Sequence, residues 1–208
     1  MSRKPEIPRK SIYRFSLYLR CLQKLHRENV ETVSSETLAK TAKVNAAQLR
    51  RDFTYLGHSG RRGFGYNVIE LKDRIDSLMG TNQLTPIVLV GVGNLGAALL
   101  SYQGFKEMGF EIAAAFDIDC ERHKTRQGDV AVQPIEIMRE FIAARGIKVA
   151  ILAVPAESAQ AVAAQLALCG IRGILNFSPV LLEVPDDVLA HNVNVAVELQ
   201  NLAYFIRE

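Results

Sequence analysis

Three glycines at the spacing Gly-x-Gly-x-x-Gly carry the clearest chemical signal in the sequence. They follow an apolar run and precede a helix-forming stretch. In this context the first glycine permits a tight turn, the second lets the backbone approach a pyrophosphate, and the third allows close helix–strand packing. Amides at the start of the helix can then bind the pyrophosphate charge. The loop predicts a dinucleotide site made of Gly91, Val92, Gly93, Asn94, Leu95 and Gly96.

An acidic residue stands where the adenosine ribose of such a dinucleotide would lie. Asp117 ends the next apolar run, 21 positions after Gly96. Its carboxylate would accept hydrogen bonds from the ribose hydroxyls and would repel a 2′-phosphate. The sequence therefore predicts NAD(H) rather than NADP(H) as the cofactor.

The dinucleotide half carries no recognisable catalytic string. A dehydrogenase needs an acid or base beside the nicotinamide, and only His123 or His191 could approach it there. Each is interpreted as a surface histidine. Cys120 is interpreted as an incidental loop residue, and a place near the adenosine is the alternative. The scattered cysteines, which suit a reducing compartment and form no metal motif, are Cys21, Cys120 and Cys169. We expect no catalytic residue and no metal.

A second group of side chains is suited to nucleic acid. Residues 46–56 predict a helix capped by Asn45 and ended by Gly57, with Gln48 at the capping-box position. One face is apolar, and the other carries Gln48, Arg51 and Tyr55, with Arg50 at its edge. Arginine can bind a guanine edge bidentately, so this helix predicts a recognition helix. The segment 57–66, with four glycines and the pair Arg61 and Arg62, predicts a basic hairpin, or wing.

The surrounding elements place these groups in two halves. Helical patterns over 8–25, 36–42 and 70–79 complete a winged helix-turn-helix unit. Residues 1–79 contain 16 Lys/Arg against 8 Asp/Glu, a net +8, whereas residues 80–208 contain 9 against 14, a net −5. This asymmetry favours a polyanion as partner of the first half, although chance clustering of solvated charge is the alternative.

From residue 86 onward, apolar strands alternate with helices. The predicted strands are 87–92, 111–116, 148–154 and 173–177, and the predicted helices are 94–108, 134–145 and 157–168. The tail begins as a strand-like run at Val193 and becomes helical around Val197. This pattern predicts an α/β Rossmann domain with a parallel sheet covered on both faces.

Several strings resemble the Rex family of redox-sensing repressors, in order, over roughly residues 10–206. They are Ser-Ser-x-x-Leu-Ala at 34–39, Gln-Leu-Arg-Arg-Asp at 48–52, Arg-Gly-x-Gly-Tyr at 62–66, the glycine loop, Tyr-x-Gly-Phe at 102–105, Ala-Val-Pro at 153–155 and Asn-Phe at 176–177. The run 197–204 matches as well. The resemblance adds Ser34, Ser35, Gly63 and Tyr66 to the predicted DNA-binding residues, and Tyr102 and Pro155 to the cofactor-binding ones.

The resemblance also implies how such a protein works. Rex proteins are homodimers that exchange a C-terminal helix, bind inverted-repeat operator DNA and are released by NADH, with NAD+ competing for the same site. It assigns the switch to Arg20, Tyr102 and position 194. Here Asn194 stands where the family often has Asp, Ser178 replaces a common Ala, and Arg51 replaces a common Lys.

These observations give one expected organisation. Residues 1–79 form the winged-helix domain, 80–85 a linker, 86–192 the Rossmann domain and 193–208 the dimerisation helix. No apolar run approaches the roughly 20 residues needed to cross a bilayer, and no signal peptide is evident, so we expect a cytoplasmic protein. The Rossmann half also resembles nucleotide domains of CoA ligases. The alternative is therefore an NAD-dependent oxidoreductase or a CoA-binding enzyme domain.

Overall fold

The computed structural model describes residues 7–57, 60, 64–119 and 130–206. The chain divides into two compact units, Met1–Gln83 and Leu84–Glu208. The division falls within the segment 80–85, where the composition of the sequence changes. Among the described residues, no helix combines the length and the hydropathy that crossing a membrane requires.

The first unit is a cluster of helices around one apolar core. Its helices are α1 Arg9–Arg27, α2 Ser35–Thr41, α3 Ala46–Phe53 and α4 Val68–Met79, with a short 3₁₀ turn over Thr54–Leu56. Side chains of α1, α2, α3 and α4 are almost fully buried together, and they include Phe15, Leu19, Leu22, Leu38, Leu49, Phe53, Leu71 and Ile75. The predicted helix-turn-helix corresponds to α2 and α3.

Local hydrogen bonds begin and end these helices. Ser34 Oγ accepts from the amide of Thr37 at the start of α2, and Asn45 Oδ1 accepts from the amide of Ala47 at the start of α3. Gly57 ends the 3₁₀ turn in the left-handed region. The capping box expected at Gln48 is absent, because its side-chain amide donates along the helix instead of reaching back to Asn45.

The strand at the end of the predicted wing segment pairs with a strand before α2. A strand that the sequence did not predict, β1 Thr32–Val33, pairs antiparallel with β2 Tyr66–Asn67. The backbone at Gly65 passes very close to β1, because a Cβ on Gly65 would collide with the Val33 carbonyl. The wing residues Arg61, Arg62 and Gly63, together with His58, lie outside the described residues.

The second unit contains a parallel sheet with helices on both faces. Its described strands are β3 Thr85–Val90, β4 Phe110–Asp117, β5 Val132–Pro134, β6 Val149–Leu152, β7 Gly173–Asn176 and β8 Leu189–Asn192. Their order is β5-β4-β3-β6-β7-β8, and every neighbouring pair is parallel. The order reverses between β3 and β6, which is the Rossmann switch point where ligands bind.

Two of the described helices of this unit differ from the prediction, whereas the helix predicted at 157–168 is found as expected. The described helices are α5 Asn94–Leu100, α6 Gly104–Glu107, α7 Met138–Arg145, α8 Ala156–Leu168 and α9 Val195–Phe205. The predicted helix 94–108 breaks at 101–103, where the Tyr102 ring folds against Gly104 and leaves no room for a Cβ there. The predicted helix 134–145 begins late, because 132–134 form an edge strand and Ile135–Ile137 a 3₁₀ turn.

Alternating side chains of the strands build two cores. Val88, Val90 and Phe116 face α7 and α8, whereas Leu89 and Ala115 face α5 and α6. The C-terminal helix differs, since none of its residues is buried. Its exposed apolar side chains include Val195, Leu199, Leu202, Tyr204 and Phe205.

Candidate functional site

The glycine loop between β3 and α5 contains three glycines, and the packing of the protein accounts for two of them. Gly91 has a φ of +92°, and a Cβ there would lie 2.5 Å from the Ala153 carbonyl oxygen. A Cβ on Gly96 would collide with the Gly91 carbonyl. A Cβ on Gly93 would meet nothing within 4 Å. The fold requires the first and third glycines, while the second keeps an open space suited to a ligand's pyrophosphate.

Asp117 lies at the carboxyl end of β4, beside this loop. Its Oδ2 accepts a hydrogen bond of 2.6 Å from the Val92 amide, and its Oδ1 accepts one of 3.0 Å from the Asp119 amide. The carboxylate therefore holds the glycine loop in place and also faces the adjoining pocket. The negative charge of Asp117 would repel a 2′-phosphate on a ribose bound there.

One pocket of about 700 Å³ gathers most of the predicted cofactor residues. Gly91, Gly93, Asn94, Leu95, Asp117 and Pro155 all line it. Val92 and Gly96 are buried and do not line it. Asp117 follows β4 on one side of β3, whereas Val154, Pro155 and Phe177, which supply apolar walls, follow β6 and β7 on the other side. A polar end that suits a ribose and an apolar end that suits a flat ring fit a dinucleotide.

The wall of this pocket is fixed by a buried polar network. Asn176 is fully buried, and its Nδ2 donates to the Val180 carbonyl and to Asn192 Oδ1, each over 2.8 Å. Ser178 Oγ donates to the Val154 carbonyl over 2.7 Å. The hydroxyl that Ser178 has, and Ala would lack, thus ties the β7 loop to a residue that lines the pocket.

Tyr102 does not line that pocket within a single chain. It follows α5, is 59% exposed and packs edge-on against Phe105. It lines a separate cavity of about 650 Å³ with Lys106 and Arg145. The predicted contact of Tyr102 with the cofactor remains a prediction.

Asn194 caps α9. Its Oδ1 accepts from the amides of Ala196 and Val197, over 3.0 and 3.3 Å. Asparagine and aspartate both serve as N-caps, so the replacement of the family's common Asp leaves the start of the helix intact.

In the first unit, two arginines of α3 are exposed on its outer face. Arg50 donates through Nη1 to Glu36 Oε1 and to Ser35 Oγ, each over 2.8 Å. The pKa of Glu36 is lowered by its own backbone hydrogen bond and by those from Arg50 and Ser35. Arg51 is also exposed. The two arginines thus lie on α3, and Ser34 and Ser35 lie at the start of α2. Together these side chains could contact the phosphates and the bases of one DNA segment.

The remaining predicted residues of this unit differ in exposure. Tyr66 is nearly buried and packs edge-on against Phe53, so it belongs to the core of this unit and does not lie on the outer face. Tyr55 is half-buried against the same core, and Arg20 is exposed on α1. His123 and Cys120 lie outside the described residues. Within the described ranges, no group of three metal-ligating side chains occurs.

The sequence interpretation assigned no role to Asp52, which is fully buried in α3. It accepts hydrogen bonds from Arg14 and Tyr18 of α1 and from Gln48. The sequence feature that could have indicated its role is the position of this carboxylate between Leu49 and Phe53, on a helix face that is otherwise apolar. Such a residue needs a cationic partner when buried.

Two family models match separate parts of the chain. One, described as "Putative DNA-binding protein N-terminus", matches residues 6–54, and the other, "CoA binding domain", matches residues 82–180. The redox-sensing transcriptional repressor Rex of Carboxydothermus hydrogenoformans is 42% identical over 202 residues, covering 97% of this chain and 97% of that protein. The chain belongs to the Rex family.

Solved Rex-family structures match the whole architecture. The crystal structure of RSP in complex with beta-NAD+ and operator DNA is 34% identical and has a TM-score of 0.88, covering 98% of this chain and 94% of that one. RSP in complex with beta-NADH is 33% identical, has a TM-score of 0.84, and covers 98% and 95%. The predicted fold class, a DNA-binding unit followed by a Rossmann-like parallel sheet, is confirmed.

The Rex relatives are transcriptional repressors and not enzymes. The match to a CoA-binding domain therefore reflects the shared fold of the second half. The alternative of an oxidoreductase or a CoA-binding enzyme is set aside, and the expectation that this chain is not an enzyme is confirmed.

Proposed function

We propose that this chain is a redox-sensing transcriptional repressor that binds operator DNA and is released by NADH. The observation that carries the proposal is the combination, in one chain, of a basic helix-turn-helix and a glycine-loop pocket, matched over 98% of its length by RSP bound to NAD+ and operator DNA.

The pocket supports NAD(H) as the cofactor. The space in front of Gly93 can take the pyrophosphate, and Asp117 can accept hydrogen bonds from the adenosine ribose. The apolar end formed by Val154, Pro155 and Phe177 would adjoin the nicotinamide. The oxidised ring is cationic and the reduced ring is neutral, so an apolar wall favours the reduced form.

The DNA-binding residues divide by the kind of contact they can make. Arg51 on the outer face of α3 is proposed to read a base edge, and Ser34 and Ser35 at the start of α2 to bind a phosphate. Arg50 can add a further contact. Arg61 and Arg62, together with Gly63, belong to the wing that the sequence predicts, and we propose that they bind the minor groove or the backbone.

The functional unit is proposed to be a cytoplasmic homodimer. An apolar helix with no buried residue, such as α9, needs a partner surface, and a second copy would supply one. Two-fold symmetry matches an inverted repeat, with recognition helices about 34–36 Å apart or a multiple of it. Residues 1–79 would read the operator, 80–85 would link, 86–192 would bind NAD(H) and 193–208 would dimerise.

NADH can release the DNA only if it binds the released state more tightly than the DNA-bound state. The proposed switch residues are Tyr102, Arg20 and Asn194. Reduced cofactor would alter the spacing of the two recognition helices and so weaken operator binding.

The test is a gel shift with the purified full chain. An operator is first obtained by selecting tightly bound sequences from a pool of randomised inverted repeats. NADH should release this duplex at concentrations where NAD+ and NADPH do not. Binding without sequence preference, or release by all three dinucleotides alike, would refute the proposal. Tyr102→Ala should lose NADH release while still binding DNA, and unchanged release would remove Tyr102 from the switch.

A further inference from the structure

Both oxygens of the buried Asp52 carboxylate in α3 accept hydrogen bonds. Oδ2 of Asp52 accepts from Arg14 Nε over 2.6 Å and from the Tyr18 hydroxyl over 2.8 Å. Oδ1 accepts from Arg14 Nη2 over 2.7 Å and from Gln48 Nε2 over 3.0 Å. Three of these four hydrogen bonds come from α1, so the carboxylate joins α3 to a different helix.

The cation of this pair is itself held in place. Arg14 Nη2 also donates to Ser11 Oγ over 2.9 Å, and the Arg14 side chain is 19% exposed. Ser11, Arg14 and Tyr18 lie on one face of α1, at the helical spacing of three and four residues. The hydrogen bond with Asp52 raises the pKa of Arg14, which outweighs the effect of burial. The pair therefore stays ionised.

Apolar contacts alone would not fix α3 in this way. Leu49 anchors the helix through contacts that have no preferred direction, and Phe53 through edge-on contacts with the rings of Tyr18 and Tyr66, which set only a broad geometric preference. A bidentate Arg–carboxylate bond is directional and defines the plane of the carboxylate. Successive residues of a helix are rotated by about 100°, so a fixed Asp52 fixes the direction of its exposed neighbour Arg51.

We propose that the Arg14–Asp52 pair is a positioning element that sets the rotation of α3 and thereby selects which of its side chains face operator bases. A buried ion pair adds little net stability over apolar residues of similar volume, but it can enforce a single arrangement. The inference rests on the proposed function, because it presupposes that α3 reads DNA.

The pair therefore controls the ratio of operator affinity to non-specific affinity, and not the phosphate contacts. Replacing both partners by apolar residues removes the directional bond without leaving a buried unpaired charge. The variant Arg14→Met/Asp52→Leu should fold, bind a scrambled duplex within about twofold of wild type, and keep the wild-type salt slope. Its operator-to-scrambled ratio should fall by about tenfold or more.

A matched control is the ion pair of α4. Lys72 Nζ binds Asp76 Oδ2 over 2.9 Å, and Asp76 is 9% exposed. Lys72→Met/Asp76→Leu removes a partly buried pair from the same unit without touching α3. It should change the melting temperature and leave the operator-to-scrambled ratio within about twofold of wild type.

The experiment measures binding of the full chain to the selected operator and to a scrambled duplex, at several salt concentrations, with a thermal melt of each variant. A wild-type ratio in the double variant would overturn the proposal. Should that variant fail to fold, Arg14→Lys decides: it keeps the charge but loses the bidentate fork, and should lower the ratio by about threefold or more. An unchanged ratio in Arg14→Lys would equally overturn the proposal. A wild-type protein with no preference for the operator would instead refute the proposed function.

Discussion

The Val92 amide donates to Asp117 over 2.6 Å, so the residue expected to choose the cofactor also holds the loop that binds it. Both carboxylate oxygens accept from backbone amides, one in the glycine loop and one at Asp119. A dinucleotide ribose would add donors to an acceptor that is already oriented. Orientation before binding lowers the entropic cost of recognition.

Asp117→Ser should therefore weaken NADH binding and narrow the preference for NADH over NADPH. Lost hydrogen bonds to a charged acceptor cost about 1.5–3 kcal/mol, while removal of the charge relieves repulsion of a 2′-phosphate. Fluorescence titration of both cofactors measures the two affinities. Asp119→Ser is the matched control and should retain the preference. Equal affinities of wild type for NADH and NADPH would contradict the assigned role.

Gly93→Ala should separate binding from folding. The added methyl group would enter open space, so the melting temperature should stay near that of wild type. It would occupy the region proposed for the pyrophosphate, and NADH affinity should fall by about tenfold or more, which is about 1.4 kcal/mol.

Gly96→Ala provides the opposite control for that variant. Its methyl group would collide with the Gly91 carbonyl, so the free energy of unfolding should fall by about 1–3 kcal/mol or more. Thermal melts and NADH titrations of both variants test the contrast. Full NADH affinity in Gly93→Ala would place the pyrophosphate elsewhere.

The sequence predicted the glycine loop and the buried strands well, because both depend on local patterns. Loop chemistry is encoded in spacing, and β3 is a continuous apolar run. The edge strands β5 and β8 were missed as such, since each has only three or four residues, none of them buried. Pairing with a neighbour makes such short segments strands, and pairing is not visible in a single sequence.

The candidate site was less predictable where burial decides the role of a side chain. Gln48 was assigned to DNA from its position on the helix and Tyr66 from the family resemblance, and in the structure Gln48 bonds the buried Asp52 while Tyr66 packs on Phe53. Polar and aromatic side chains look alike in sequence whether they face solvent or the core. Only the packing of α3 against α1 and β2 distinguishes the two cases.

Acid should destabilise the first unit through Asp52. Burial raises the pKa of Asp52, but hydrogen bonds from Arg14, Tyr18 and Gln48 outweigh it and hold the pKa below its usual value. A carboxyl whose pKa is lower when folded stabilises the protein fully above its unfolded pKa of about 3.9. That stabilisation is lost as the pH falls through the lower, folded pKa.

Asp52→Asn should flatten this acid dependence. The wild-type free energy of unfolding should decline below about pH 4, by at most about 1.4 kcal/mol per pH unit from this one group. Urea unfolding followed by far-ultraviolet circular dichroism, at a series of pH values, measures the slope. Asp73→Asn, an exposed carboxylate of α4, should keep the wild-type slope. Identical slopes for wild type and Asp52→Asn would contradict the prediction.

Asn194→Asp tests whether a negative charge at the start of α9 sharpens the response to redox state. Asn194 Oδ1 already caps the helix through the amides of Ala196 and Val197, and Asp can make the same bonds. A carboxylate there also interacts favourably with the N-terminal end of the helix. The substitution therefore adds charge without removing the cap. We expect the transition from bound to released operator to occur over a narrower range of the NADH/NAD+ ratio.

Asn194→Ser separates the two contributions, because serine caps the helix without a charge. Operator affinity is measured against the NADH/NAD+ ratio for wild type and both variants. If the charge matters, only Asn194→Asp sharpens the transition, and Asn194→Ser behaves as wild type. If both variants shift the transition equally, the effect lies in the cap. In that case the carboxylate common in the family at this position would not explain redox discrimination.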